Sequence, residues 1–240
     1  MIPDVVVPAH LSLETAMKTT CLALFLLFAT AAGAAAAPSG PPAGFTIETD
    51  YTVKSSDGAA AVEQYKKPAP DESYNWQFWV RRADTFSFLA PEQENYPADF
   101  RFTNDGRWLI RMQKTGSGEL TSYLYKLGPN GFVSATKKPI GDLAWDFFYS
   151  RPESRKIMKP DFHMGAGLLK GIPDNYRGLG VNWPENRYIV MSLWGEVEPN
   201  GKHHQLVTVR GWRMRYDLQE GKFDVPASFL RNNLDALKPE

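Results

Sequence analysis

Two residues past the middle of the chain could run acid–base chemistry. His163 stands two positions after Asp161 in DFHMGAG. A carboxylate close to an imidazole can orient it as a general base. Such a pair would serve a hydrolase, which also needs a nucleophile. No serine in a recognisable setting accompanies it. The sequence holds no G-x-S-x-G, no Walker loop, no H-E-x-x-H and no EF-hand pattern. His203 and His204 follow Glu196 and Glu198 in GEVEPNGKHHQ, residue types that bind metals. Neighbours on a strand point to opposite faces, so the two imidazoles cannot easily share an ion. A solvated hairpin is the expectation there, with no metal and no cofactor.

Two further sets suit binding rather than catalysis. KTGSG, Lys114 to Gly118, could cradle an anion with backbone amides, but no helix follows to strengthen the site. It reads as a hairpin loop that offers Lys114, Ser117 and Gly118 to a partner. Six of the seven tryptophans, at 76, 79, 108, 183, 194 and 212, fall mostly at alternating strand positions, where core packing is the default. Trp79 differs, because it shares a face with Asn75, Gln77 and Arg81. On an exposed face it would be a contact residue.

Hairpins must position these groups. FRFTNDGRWLIRM, Phe100 to Met112, reads as strand, turn, strand, with Gly106 in the left-handed region. A three-residue loop, Asn104-Asp105-Gly106, would place Phe102 opposite Trp108 and Phe100 opposite Ile110. That register gathers Phe100, Phe102, Trp108, Ile110 and Met112 on one face, and Asp99, Arg101, Thr103, Arg107, Leu109 and Arg111 on the other. The turn recurs at Pro184-Glu185-Asn186, and more faintly around Gly58 and Gly221. Strands are also predicted over Tyr74 to Arg82, Glu119 to Leu127 and Gln205 to Leu218, the last bent at Gly211. Gly141 to Ser150 reads as a helix capped by Asp142. Pro226 to Leu237 reads as a packing helix with a stripe of Phe229, Leu230, Leu234 and Leu237. Met158 to Asn175 lacks periodicity and reads as an irregular functional loop. The sum is an all-β chain with two short helices, its antiparallel hairpins forming a sandwich or partial propeller, closed by a C-terminal packing helix.

The amino terminus sets the expected compartment. After Met17 come Lys18, an apolar run from Cys21 to Ala32, and small residues up to Ala37. This is the order of a secretory signal peptide, and the run is shorter than the roughly 20 residues of a membrane span. The expected organisation is an over-extended N-terminus at 1–16, a signal at 17–36, a flexible linker at 37–44 and one β-rich domain at 45–240. The mature protein would be periplasmic or secreted, with no stable membrane span. Cys21, the one cysteine, falls within the signal. The mature chain would then lack disulfides and thiolate chemistry. Lys and Arg number 27, as do Asp and Glu, so no basic face for nucleic acid is advertised.

Two local resemblances follow from quoted residues. FTNDGRWLIRM, and partly WPENRYIVM, resemble the "SPDG" turns of exported TolB-like propeller blades. A closed ring of blades of about 40–50 residues would need more chain than this. RMQKTGSGELTSYLYKLGPNGFVSAT, Arg111 to Thr136, resembles a segment of the periplasmic I-type lysozyme inhibitors. Those are exported β-sandwiches that plug a lysozyme cleft with a Ser-Gly loop and a nearby Tyr. The resemblance implies a contact through Ser117 and Gly118. Leu120 stands where the Tyr is expected, and the nearest tyrosines are Tyr123 and Tyr125. The leading expectation is therefore a non-enzymatic envelope domain binding a macromolecule, with a cell-wall hydrolase as the sharper partner. A hydrolase using His163 and Asp161, or a structural envelope component, are the alternatives.

Overall fold

Alternating and β-branched runs separated by Gly-bearing turns pair into two sheets. The computed structural model describes residues 40–169, 186–197 and 206–238. The first sheet holds β1 (Thr46–Ile47), β2 (Val53–Lys54), β3 (Ala61–Pro68), β4 (Tyr74–Arg82), β5 (Thr85–Phe88) and β6 (Gln93–Glu94). The second holds β7 (Ala98–Phe102), β8 (Trp108–Gly116), β9 (Glu119–Gly128), β10 (Gly131–Ser134), β11 (Phe162–Leu168), β12 (Tyr188–Val197), β13 (Leu206–Asp217) and β14 (Lys222–Asp224). Two α-helices, α1 (Ile140–Ser150) and α2 (Leu230–Asp235), and three single-turn 3-10 helices, Thr49–Tyr51, Pro152–Ser154 and Ala227–Phe229, complete the described elements. Neither sheet closes into a barrel, and no described helix is long and apolar enough to cross a membrane. The chain is thus mostly β with two short helices, as its sequence predicts.

Two cores hold the layers together. Between the sheets, Phe78, Val80 and Leu89 meet Phe100, Leu109 and Tyr125. The second sheet also builds a core with α1, where Ile140, Ala144 and Phe148 join Leu193, Trp212 and Met214. Among the described strands pairing is antiparallel except between β9 and β11, where Gly165 lies parallel to Leu120. The chain between those two strands carries β10 and α1, so this crossover is an exception to the hairpin plan.

The β7–β8 register differs from expectation by one residue. Phe102 pairs with Leu109, not Trp108, and Phe100 pairs with Arg111. The loop is lengthened by a side-chain turn. Thr103 Oγ1 donates to Asp105 Oδ1 at 2.7 Å, and the Trp108 amide donates back to Thr103 Oγ1 at 3.0 Å. Gly106 is left-handed as predicted, at φ 64°. The slip moves Arg111 into the inter-sheet core and Ile110 into the core beneath α1. Both faces of β8 are buried, so the separation of apolar from polar faces had no force here.

Arg111 is 0% exposed. Its guanidinium donates to Gln113 Oε1 at 2.7 and 2.9 Å and to Pro91 O at 2.7 Å. It lies 4.0 Å from the Phe78 ring centre and 4.8 Å from that of Tyr123. Burial holds its pKa below the usual arginine range, opposed by Tyr125 and Tyr123. Carbonyls, an amide and ring faces thus take up a charge that buried arginines more often place on a carboxylate.

Three other expectations are corrected. Helix α1 begins at Ile140 after Pro139, so Asp142 lies in its first turn and is not the cap. Leu230 and Leu234 are 53% and 68% exposed, whereas Asn233 is buried. The helix is turned because Asn233 accepts the Arg213 amide at 2.7 Å and donates to Arg213 O at 2.8 Å. Asn232 donates to Gly211 O at 2.9 Å, beside the bulge where β13 skips Gly211. Finally, part of the predicted loop at 158–175 is strand β11. Its periodicity is hidden by glycine: a Cβ on Gly165 would stand 1.8 Å from the Trp194 indole.

Candidate functional site

The β8–β9 hairpin carries the predicted contact loop. Gly116 pairs with Glu119, leaving Ser117 and Gly118 as a tight, exposed tip. Gly118 adopts φ 74°, a conformation natural to glycine and costly for most side chains. Space demands glycine as well: a Cβ there would stand 2.4 Å from Cδ2 of His163. The tip therefore rests against the His163 imidazole. Two regions that the sequence assigned to rival functions are brought into one place.

His163 is itself held from several sides. It has φ 46° within an irregular stretch of β11 between Phe162 and Gly165. Its ring lies 3.7 Å from that of Phe162. Nδ1 lies 2.9 Å from Glu196 Oε2 across the β11–β12 pair. Glu196 is therefore an acid partner of His163. Asp161 contributes its backbone amide, which donates to Glu196 O at 3.0 Å. Nothing local in the sequence could pair His163 with Glu196, because the contact depends on the β11–β12 register.

Two cavities flank the start of β9, and Leu120 lines both. The smaller, about 270 Å³, is bordered by Glu119, Asp142 and Asp161 with Thr115 and Thr121. Burial pushes the Asp142 carboxyl up, while Lys138 and Thr121 act against that shift. The larger, about 530 Å³, has Met112, Leu168, Leu169 and Trp194 in its walls. Lys114 and Asp99 also border it. The Lys114 amine sits 4.4 Å from the centre of the Tyr96 ring.

Trp79 is placed differently from the exposed alternative. It is 2% exposed, donates Nε1 to Gln77 Oε1 at 3.0 Å, and packs 5.2 Å from the Phe88 ring. The outer face of β4 is covered by its own polar and aromatic neighbours, so this indole is not offered to a partner. His203, His204 and Glu198 lie outside the described residues, as do Pro184 and Glu185. Set against known proteins, the chain matches no family model, no curated protein and no solved structure.

Proposed function

We propose that this is an exported, non-enzymatic envelope domain that binds a macromolecular partner through the β8–β9 hairpin tip. One observation carries the reading: Ser117 and Gly118 are exposed, yet Gly118 is seated on an imidazole that Glu196 anchors. An exposed loop on a fixed mount loses little conformational freedom when it binds, which favours affinity. The sharper form of the proposal takes a cell-wall hydrolase of the lysozyme type as partner, with the tip entering its cleft. Lys114 near the base of the same hairpin would add charge at the rim.

The test is capture on the immobilised chain from a panel of lysozymes and an envelope extract. A hydrolase should be retained, inhibited, and lost when Ser117→Arg blocks the tip. A column that retains nothing would sink the reading.

A second reading, an envelope hydrolase, is favoured by the same His163–Glu196 contact, because Glu196 supplies the orienting acid that an imidazole base needs. His163→Phe discriminates the two. It keeps a flat ring under Gly118 and removes the titrating nitrogens. A binding domain should retain its partner, whereas a hydrolase should lose turnover on peptidoglycan or ester substrates.

A further inference from the structure

The larger cavity has a floor of one character and a rim of another. Met112 and Leu168 are buried at its floor, and Leu120 and Leu169 are half-buried along it. The Trp194 indole forms part of the wall. Its place is kept by glycine, since a Cβ on Gly167 would come within 3.2 Å of the ring. Lys114 and Asp99 are exposed and stand at the rim. At about 530 Å³ the space falls within the range of small-ligand sites.

The two rim charges are not equivalent. Asp99 already has an interaction of its own. The Lys114 amine lies over the Tyr96 ring, and no described carboxylate is within ion-pair distance of it. A ring face leaves ammonium protons for a stronger acceptor. The walls reward aliphatic surface, and the rim offers a cation.

We infer that this cavity binds a single-chain aliphatic carboxylate, a medium-chain fatty acid. The tail lies along Met112, Leu120 and Leu168, and the head group meets Lys114. This use of the cavity does not involve Ser117 and Gly118 at the hairpin tip, although Lys114 serves both readings.

Isothermal titration of the purified chain with octanoate, decanoate and dodecanoate, each kept below micelle formation, tests it. One equivalent should bind, with affinity rising about fourfold per added methylene. Lys114→Met should weaken dodecanoate about tenfold, and Lys114→Arg should restore most of the loss. Ser117→Arg should leave it unchanged, which separates this site from the tip. Dodecyltrimethylammonium should bind poorly. Absence of saturable binding, equal binding of the cationic amphiphile, or indifference to Lys114→Met would each overturn the assignment.

Discussion

Between the two sheets, Arg111, Gln113 and Gln64 are buried among Phe78, Phe100 and Tyr125; beneath α1, Met191, Leu193, Trp212 and Phe148 meet, and the buried polar side chains beside them are small, Ser122 donating to Ala166 O and Ser154 to Phe148 O. The first core is pinned by directional bonds. Gln64 donates to Ala98 O at 2.8 Å and accepts the Ala98 amide at 3.0 Å, tying the first sheet to β7. Arg111 and Tyr125 hold the segment at 89–91 through its carbonyls. The second core relies on ring packing: Phe148 touches Trp145 and Trp212 edge-on, at 5.7 and 5.1 Å. Trp212 Nε1 there has no hydrogen-bond partner among the described residues. The contrast has a physical reason. β6 and the 89–91 segment have little ladder of their own, so apolar burial alone would let them slide. A helix against long strands is already located by its apolar face and needs fewer such bonds.

Breaking each core in turn should expose the difference. Arg111→Ala should cost about 3–5 kcal/mol, because it leaves buried carbonyls and Gln113 unsatisfied. Its signature should be faster amide exchange across 89–98. Phe148→Ala should cost a similar amount, about 3–5 kcal/mol, through a cavity. It should leave 89–98 protected and loosen α1. If both variants opened the same amides, the two cores would be one cooperative unit and the comparison would fail. Gln64→Leu should be milder, about 1–3 kcal/mol in urea melts, with β7 the first strand to exchange.

A smaller effect sharpens the comparison at the margin of the helix-covered half. Arg187 donates to Asp217 Oδ2 at 2.9 and 3.0 Å, joining the start of β12 to the end of β13. Burial pushes the Asp217 carboxyl up, but the Glu220 amide, Arg187 and the Gln219 amide outweigh it and hold it below its usual value. A depressed folded pKa gives stability that is present above the unfolded value, about 3.9, and lost as pH falls through the folded one. Asp217→Asn should cost about 1–2 kcal/mol at neutral pH. It should also flatten the acid limb of the stability curve between pH 4 and pH 2.

The sequence was most legible where local chemistry decides. Gly58, Gly106 and Gly221 are all left-handed, as their turns required, and β4 spans the predicted residues. It was least legible where one element answers to another. The β7–β8 register turned on Thr103 capping its own loop. The stripe of α2 turned on two asparagine amides finding the bulge at Gly211. β11 was hidden because its glycines make room for Trp194. The site was legible in parts only. Ser117, Gly118 and His163 could each be singled out, but Gly118 lying on His163, and Glu196 holding it, are products of sheet order. Lys114 could be named as a loop cation, but not as the rim of a cavity.

The recurring turns have one more consequence. Ser56 Oγ donates to Asn104 O at 2.7 Å, and the Asp105 amide donates to Asn186 Oδ1 at 2.8 Å. Turns far apart in the chain are thus stitched together at one end of β8, while Ser117 and Gly118 cap the other end. For anyone wishing to graft foreign sequence onto this scaffold, the two ends are opposites. Residues inserted after Asn104 would tear a seam that joins Ser56, Asn104, Asp105 and Asn186, whereas residues inserted at Ser117 would lengthen an exposed tip seated on His163.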